Sequence, residues 1–213
     1  MANVQDYYDA LMEGNRQKVE TCVQTDLKEG ISPVEILNTG LIPGMEKVGQ
    51  RFRAAEIYIP EVLMAARAMH GGFEVLRPKL VETGAKPVGK IVIGTVKGDL
   101  HDIGKNLTAM MFEGAGFQVF DFGVDVPTER FAEAIRTHKP HILALSSLLT
   151  TSMLEMKDTI HTLKENGLLA NVKTIVGGAP VTQEFADEIG ADAFGGDAVS
   201  GAERAKELLG VAE

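Results

Sequence analysis

The stretch Ile91-Val92-Ile93-Gly94-Thr95-Val96-Lys97-Gly98-Asp99-Leu100-His101-Asp102-Ile103-Gly104 decides the fold. Its first six residues form an apolar run of a length that suits a strand buried on both faces. Residues 105–115 then predict a helix, so Asp99, His101 and Gly104 fall in a strand-to-helix loop. In an open α/β sheet such loops lie beyond the carboxyl ends of the strands, where ligands bind. An imidazole there can face a ligand while a carboxylate two residues earlier fixes its tautomer from behind. Gly104 lets the backbone pass close to something bulky. A structural histidine is the plainer alternative, and residues 99–104 alone do not choose between the two.

Downstream, strand-like apolar runs recur at 118–121, 142–145, 174–176 and 193–194. Helical segments at 104–115, 128–138, 152–166, 181–189 and 198–209 separate them. Such alternation means a parallel sheet covered by helices and joined by right-handed crossovers. Five strands in this length fit the flavodoxin-like (Rossmann-like) order 2-1-3-4-5. That order puts its switch point between strands 1 and 3, so the loops after them should line a ligand crevice. The loop after strand 3, Ser146-Ser147-Leu148-Leu149-Thr150-Thr151-Ser152, carries five hydroxyls. A helix cap needs one of them, Thr151 or Ser152 by position. After strand 4 comes Gly177-Gly178, where missing side chains should leave space above the sheet, or simply a turn.

Upstream, residues 1–81 predict a small helical bundle. Tyr7, Tyr8, Leu11 and Met12 share one helical face, as do Val19, Cys22, Val23 and Leu27. Ser32-Pro33-Val34-Glu35 is a capping box that opens a short helix expected to stop near Gly40. Ile42, Met45, Val48 and Phe52 mark another amphipathic helix, and Pro60 opens a last one through Val62, Leu63, Ala66 and Met69. That helix is expected to end at Gly71-Gly72, with His70 in its last turn, or to run somewhat past it. Residues 82–89 break both periodicities and read as a linker, which leaves 90–213 as the α/β domain.

A formal charge of −9, with no basic run, argues against nucleic acid or an anionic membrane as the main partner. No apolar stretch is long enough to span a bilayer, and the first residues do not form a secretory leader. Cys22 is the only cysteine, so no intramolecular disulfide is possible and a cytoplasmic setting is expected. Its side chain should be a small buried apolar group. Met45, Met64, Met69, Met110 and Met111 should pack in cores. His138 and His141 flank Pro140 before a strand, and His161 lies on a helix with no partner at metal-ligand spacing. Zinc-hydrolase, acyl-transfer and Walker motifs are missing, so those chemistries have no support.

Asp99-x-His101-x-x-Gly104, Ser146-x-Leu148 and Gly177-Gly178 together resemble the base-off, histidine-on cobalamin-binding signature D-x-H-x-x-G, S-x-L, G-G. Residues 145–152 are similar to the corresponding loop of cobalamin-dependent methionine synthase, and residues 44–52 and 57–62 to its helical cap. The resemblance spans about residues 2–210. A chain of bundle plus cobalamin domain resembles the corrinoid methyl carriers of anaerobic methyltransferase and O-demethylase systems.

The resemblance implies a cobalamin or related cobamide bound through cobalt by His101, with Asp99 accepting the other ring N–H and Ser152 bonding to Asp99. It implies further cofactor contacts from Asp102, Ile103 and Gly104. The nucleotide tail would pass Ser146, Leu148, Thr150 and Gly177-Gly178, and Phe52, Ile59 and Val62 would roof the reactive face. Such a chain is a methyl-carrying subunit and not a complete enzyme. Its partners would be a donor-specific methyltransferase, a second methyltransferase to tetrahydrofolate or a thiol coenzyme, and a reductive activator. Phenyl methyl ethers lead the candidate donors, with methanol and methylamines close behind. The cap must move aside for two partners, with the linker as hinge. A cobalamin-sensing regulator, the small subunit of an adenosylcobalamin mutase and a phospho-receiver with Asp99 or Asp102 as acceptor are the alternatives.

Overall fold

The computed structural model describes residues 3–82 and 86–211. Its contacts divide the chain into two units, Met1–Lys86 with Glu113–Gly116, and Pro87–Phe112 with Phe117–Glu213. Of the expected linker, residues 83–85 lie outside the described residues, and residue 82 belongs to a helix.

The first unit is helical: α1 (Val4–Met12), α2 (Arg16–Lys28), α3 (Pro33–Ile36), α4 (Ile42–Arg53) and α5 (Ile59–Glu82). Asn3, Asn15 and Ser32 each accept a hydrogen bond from a backbone N–H of the turn they precede, satisfying donors the helix leaves open. Tyr7, Leu11, Val19, Val23, Ile36, Leu41, Met45, Val48 and Leu76 form its apolar interior. Cys22 is half-buried and not fully enclosed, and Met64 is exposed on the outer side of α5 while Ala65, Ala66 and Met69 face inward.

One expected stop does not occur, and another helix takes the longer of its two expected courses. The chain does not break near Gly40: a π-helical turn, Leu37–Leu41, carries α3 into α4, with the Ile42 N–H reaching the Leu37 carbonyl. Pro43 supplies no N–H and its ring crowds the carbonyl four residues back. Widening the turn before it relieves that crowding without ending the helix. Nor does α5 end at Gly71-Gly72; it continues to Glu82, with His70 well inside it. A Cβ at Gly71 would lie 2.5 Å from the Arg16 side chain, and one at Gly72 2.7 Å from Val19. These glycines let α2 approach α5 closely.

The second unit is α/β. Its strands are β1 (Lys90–Thr95), β2 (Gln118–Asp121), β3 (Ile142–Ser146), β4 (Lys173–Gly177) and β5 (Ala193–Gly195). Between and after them run α6 (Ile103–Gly114), α7 (Thr128–His138), α8 (Met153–Glu165), α9 (Gln183–Ile189) and α10 (Ala198–Leu208). All strands are parallel in the order β2-β1-β3-β4-β5, the flavodoxin-like order. The middle strands are buried throughout most of their length, which accounts for continuous apolar runs instead of alternation. One core forms around Val92, Val96, Phe131, Leu143, Leu145, Met156, Ile160 and Val176. Register aligns the strand ends: Thr95 pairs with Ser146, Ser146 with Gly177, and Gly177 with Gly195. The three unusual loops therefore leave the sheet from one line.

Candidate functional site

The loop between β1 and α6 is held open by its own hydrogen bonds. Gly98, at φ 78°, turns the chain, and the buried Thr95 hydroxyl donates to the His101 carbonyl at 2.8 Å. Asp99 then points inward and is fully buried, while the His101 side chain is 50% exposed.

Asp99 is the hub. Its Oδ1 accepts the His101 backbone N–H at 3.0 Å and the His101 Nδ1–H at 2.7 Å. Its Oδ2 accepts the Leu148 N–H at 2.7 Å and the Ser152 hydroxyl at 2.8 Å. Burial by itself pushes this carboxyl upward, but the N–H groups of His101 and Leu148, the imidazole and the Ser152 hydroxyl outweigh it. The group is held well below the usual carboxylate range and is ionised at neutral pH. An ionised carboxylate only accepts, so Nδ1 carries the ring proton and the Nε2 lone pair is left to the exposed side.

Ser152 stands at the N-cap position of α8 yet makes no capping bond with its side chain. The expectation that Thr151 or Ser152 caps this helix is corrected: instead of accepting from a backbone N–H of the first turn, the Ser152 hydroxyl donates to the buried Asp99 charge, a strong charge-assisted bond. Ser147 was not singled out by its position, though it is fully buried and lies 2.7 Å from the Ser152 hydroxyl. It extends the chain of side chains behind His101 to three. Only alternation could have shown it: in a strand ending at Ser146, the next residue points to the opposite side.

Ser146 is half-buried at the end of β3, and Thr150 is exposed in the loop. Asp102, Ile103 and Gly104 are exposed at the start of α6. Gly177-Gly178 does not leave empty space above the sheet. A Cβ on Gly177 would lie 2.8 Å from the Gly195 carbonyl oxygen, and one on Gly178, at φ 129°, 1.8 Å from that of Ser147. The missing side chains admit neighbouring backbone, and through it fix Ser147. Phe52, Ile59 and Val62 belong to the helical unit, where Phe52 is half-buried, Ile59 exposed and Val62 buried. Of the other histidines, His138 stacks on Phe120 and the His141 Nδ1 accepts the Lys90 N–H, both structural roles.

Around His101 the surface is apolar: Leu100 is 73% exposed, Ile103 72%, Leu148 43% and Leu149 40%. Among the described residues no cluster of three or more His, Cys, Asp or Glu side chains could hold a metal by itself. A metal at His101 must bring its other ligands along. One outward imidazole with exposed aliphatic side chains beside it fits a metal carried in a broad, flat macrocycle.

Comparison with known proteins gives the same answer. A B12 binding domain matches residues 89–205, and a second B12 binding domain family matches residues 4–77. Trimethylamine corrinoid protein 1 of Methanosarcina acetivorans is 41% identical over 203 residues, 94% of each chain. The chain belongs to the B12-binding corrinoid proteins. Dimethylamine corrinoid protein 2 of the same organism is 41% identical to this corrinoid protein, covering 97% of it and 95% of the relative. The methanol:cobalamin methyltransferase complex MtaBC from Methanosarcina barkeri contains a chain that superposes with a TM-score of 0.85 at 29% identity. The match covers 98% of this corrinoid protein and 80% of that chain. No helix among the described residues is long and apolar enough to cross a membrane.

Proposed function

We propose that this corrinoid protein carries a methyl group on a bound cobamide between two methyltransferases, with His101 Nε2 as the lower ligand of cobalt in the base-off, histidine-on mode. When bound, the cobamide supplies the metal that accepts and releases the methyl group. The observation that carries the reading is the 2.7 Å bond from His101 Nδ1 to a buried, ionised Asp99, which leaves Nε2 facing outward amid exposed leucine and isoleucine. Asp99 sets the tautomer and orients the ring, and Ser152 and Ser147 hold Asp99 in turn. The apolar rim of Leu100, Ile103, Leu148 and Leu149 excludes water from the face it would cover. Asp102 and Gly104 at the start of α6, with Ser146, Thr150 and Gly177-Gly178, lie along the strand ends proposed for the nucleotide tail. Phe52, Ile59 and Val62 are proposed to shield the reactive face.

The trimethylamine and dimethylamine corrinoid proteins among the relatives support a methylated amine as donor, ahead of the phenyl methyl ethers favoured from sequence and of the methanol of the structural neighbour's complex. The acceptor methyltransferase would use tetrahydrofolate or a thiol coenzyme, and a reductive activator would restore oxidised cobalt.

The test loads the chain with cobalamin, reduces it to the Co(II) form and records its paramagnetic resonance spectrum. In protein labelled with ¹⁵N-histidine the coupling to one axial nitrogen should follow the isotope, and His101→Ala should remove that dependence. Isotope-independent coupling in the wild type, or isotope-dependent coupling that survives in H101A, overturns the ligation.

A further inference from the structure

His101 stands between two fastenings that lie outside the Asp99 network, and both come from the end of β2. On the upstream side, the Asp125 carboxylate accepts the Gly98 N–H at 2.7 Å, and the Asp125 N–H donates to the Asp99 carbonyl at 2.9 Å. Asp125 sits at φ 53°, in the left-handed region that side chains other than glycine, asparagine and aspartate rarely adopt. On the downstream side, the Lys105 side chain is buried on the first turn of α6. Its Nζ bonds to Asp121 at the end of β2 and to Asn106 Oδ1 at 2.6 Å. Asn106 in turn donates from its side chain to Asp102, the residue after His101. Asp121 is itself braced by the Gly123 N–H at 2.8 Å.

A buried ammonium and a left-handed aspartate are both costly choices for ordinary loop packing. They share one effect here. Each holds a neighbour of His101 against the same segment, residues 121–125, which is joined to β1 by further backbone bonds at Thr95 and Val126.

We infer that Asp125 is a positioning residue for the His101 imidazole, acting through Gly98 and Asp99, while the Lys105–Asp121 pair fastens the far flank of the same loop. The inference rests on His101 as the cobalt ligand, since the alignment it provides matters for a ring that must meet a metal. Asp125 acts as a strap: it fixes the height of the Asp99 backbone, and the Asp99 side chain then aims the ring.

Two variants separate the strap from general loop stability. Asp125→Asn keeps an oxygen acceptor and tolerates the left-handed backbone, so both bonds survive. Asp125→Gly accepts the same backbone without strain and keeps the N–H that reaches the Asp99 carbonyl, but removes the carboxylate that holds Gly98, so folding is spared while the side-chain half of the strap is cut. The first measurement is amide hydrogen exchange in the cofactor-free full chain. D125G should exchange at Gly98 and His101 roughly tenfold faster than wild type, the factor expected for one lost hydrogen bond, and D125N should stay within about twofold. The second is the Co(II) spectrum of the cobalamin-loaded chain, where D125G should show a reduced fraction with nitrogen coupling and D125N the wild-type fraction. Unchanged exchange at His101 in D125G, or D125N behaving like D125G, overturns the inference. Because the exchange measurement uses the chain without cofactor, it judges the strap even where the loaded wild type lacks histidine coupling, a result that overturns the ligation alone.

Discussion

The two units of this corrinoid protein treat buried polarity in opposite ways. Among the described residues, the seven buried polar or charged ones, Thr95, Asp99, Lys105, Ser147, Ser152, Thr159 and Thr174, fall in the α/β unit. The helical unit closes on apolar side chains, and the prominent polar group it encloses is the Tyr7 hydroxyl, which donates to Asp26 at 2.7 Å. A fold of this size therefore closes well without buried charge. Four of the seven, Thr95, Asp99, Ser147 and Ser152, meet at the carboxyl ends of β1 and β3, and Lys105 lies one helical turn beyond. Polarity concentrated at one end of a sheet marks a place shaped for binding, at some cost to the core around it.

That contrast can be broken by mutation. The largest effect is expected for Asp99→Ala, which strips the partners from buried N–H and hydroxyl groups. Urea unfolding of the cofactor-free chain should show a loss of about 3–5 kcal/mol. The sign of its pH dependence follows from the depressed carboxyl. Asp99 contributes stability above its unfolded pKa of about 4, and that contribution is lost as the pH falls below it toward the folded value. D99A should accordingly show a flatter stability profile between neutral pH and pH 3 than wild type.

Gly178→Ala comes next, because the new Cβ meets the Ser147 carbonyl and the backbone is at φ 129°. A loss of about 2–3 kcal/mol is expected, together with weaker cobalamin binding by absorption titration. Normal binding would show that the Ser147 position does not matter to the site. Ser147→Ala removes one hydroxyl from the group behind His101 and should cost about 1–2 kcal/mol by the same unfolding measurement. The smallest effect belongs to the helical unit. Tyr7→Phe should cost about 0.5–1 kcal/mol, since Asp26 is only partly buried and regains water, and cobalamin binding should be unchanged. A Tyr7→Phe penalty as large as that of Ser147→Ala would erase the distinction between the units.

The α/β half was legible because its central strands β1, β3 and β4 are largely buried and read as apolar runs separated by helical periodicity. His101 and Asp99 were legible because they lie two residues apart, so that one loop carries both. What stayed hidden depends on contacts distant in sequence. Asp125 lies 27 residues from Gly98, and Lys105 pairs across 16 residues with Asp121. No local spacing records either pairing. Gly40 read as a stop because glycine commonly ends helices, yet the demands of Pro43 override that preference, and at Gly71-Gly72, left open as stop or continuation, close packing by α2 goes with continuation. Gly177-Gly178 was recognised for its missing side chains, but the close approach of the Gly195 and Ser147 carbonyls to it was not, since both contacts come from other segments of the chain.

A single carboxylate joins Leu100's neighbours to Ser152 across 53 residues of chain. During synthesis, therefore, the second oxygen of Asp99 has no partners until the third strand has emerged and docked beside the first. On the proposed ligation, a nascent chain would lack a fully braced grip on a corrinoid, and the cofactor would be held best by molecules whose sheet is already assembled. Pigment uptake in a refolding mixture should thus lag behind the return of secondary structure, which makes colour a clock for the last stage of folding.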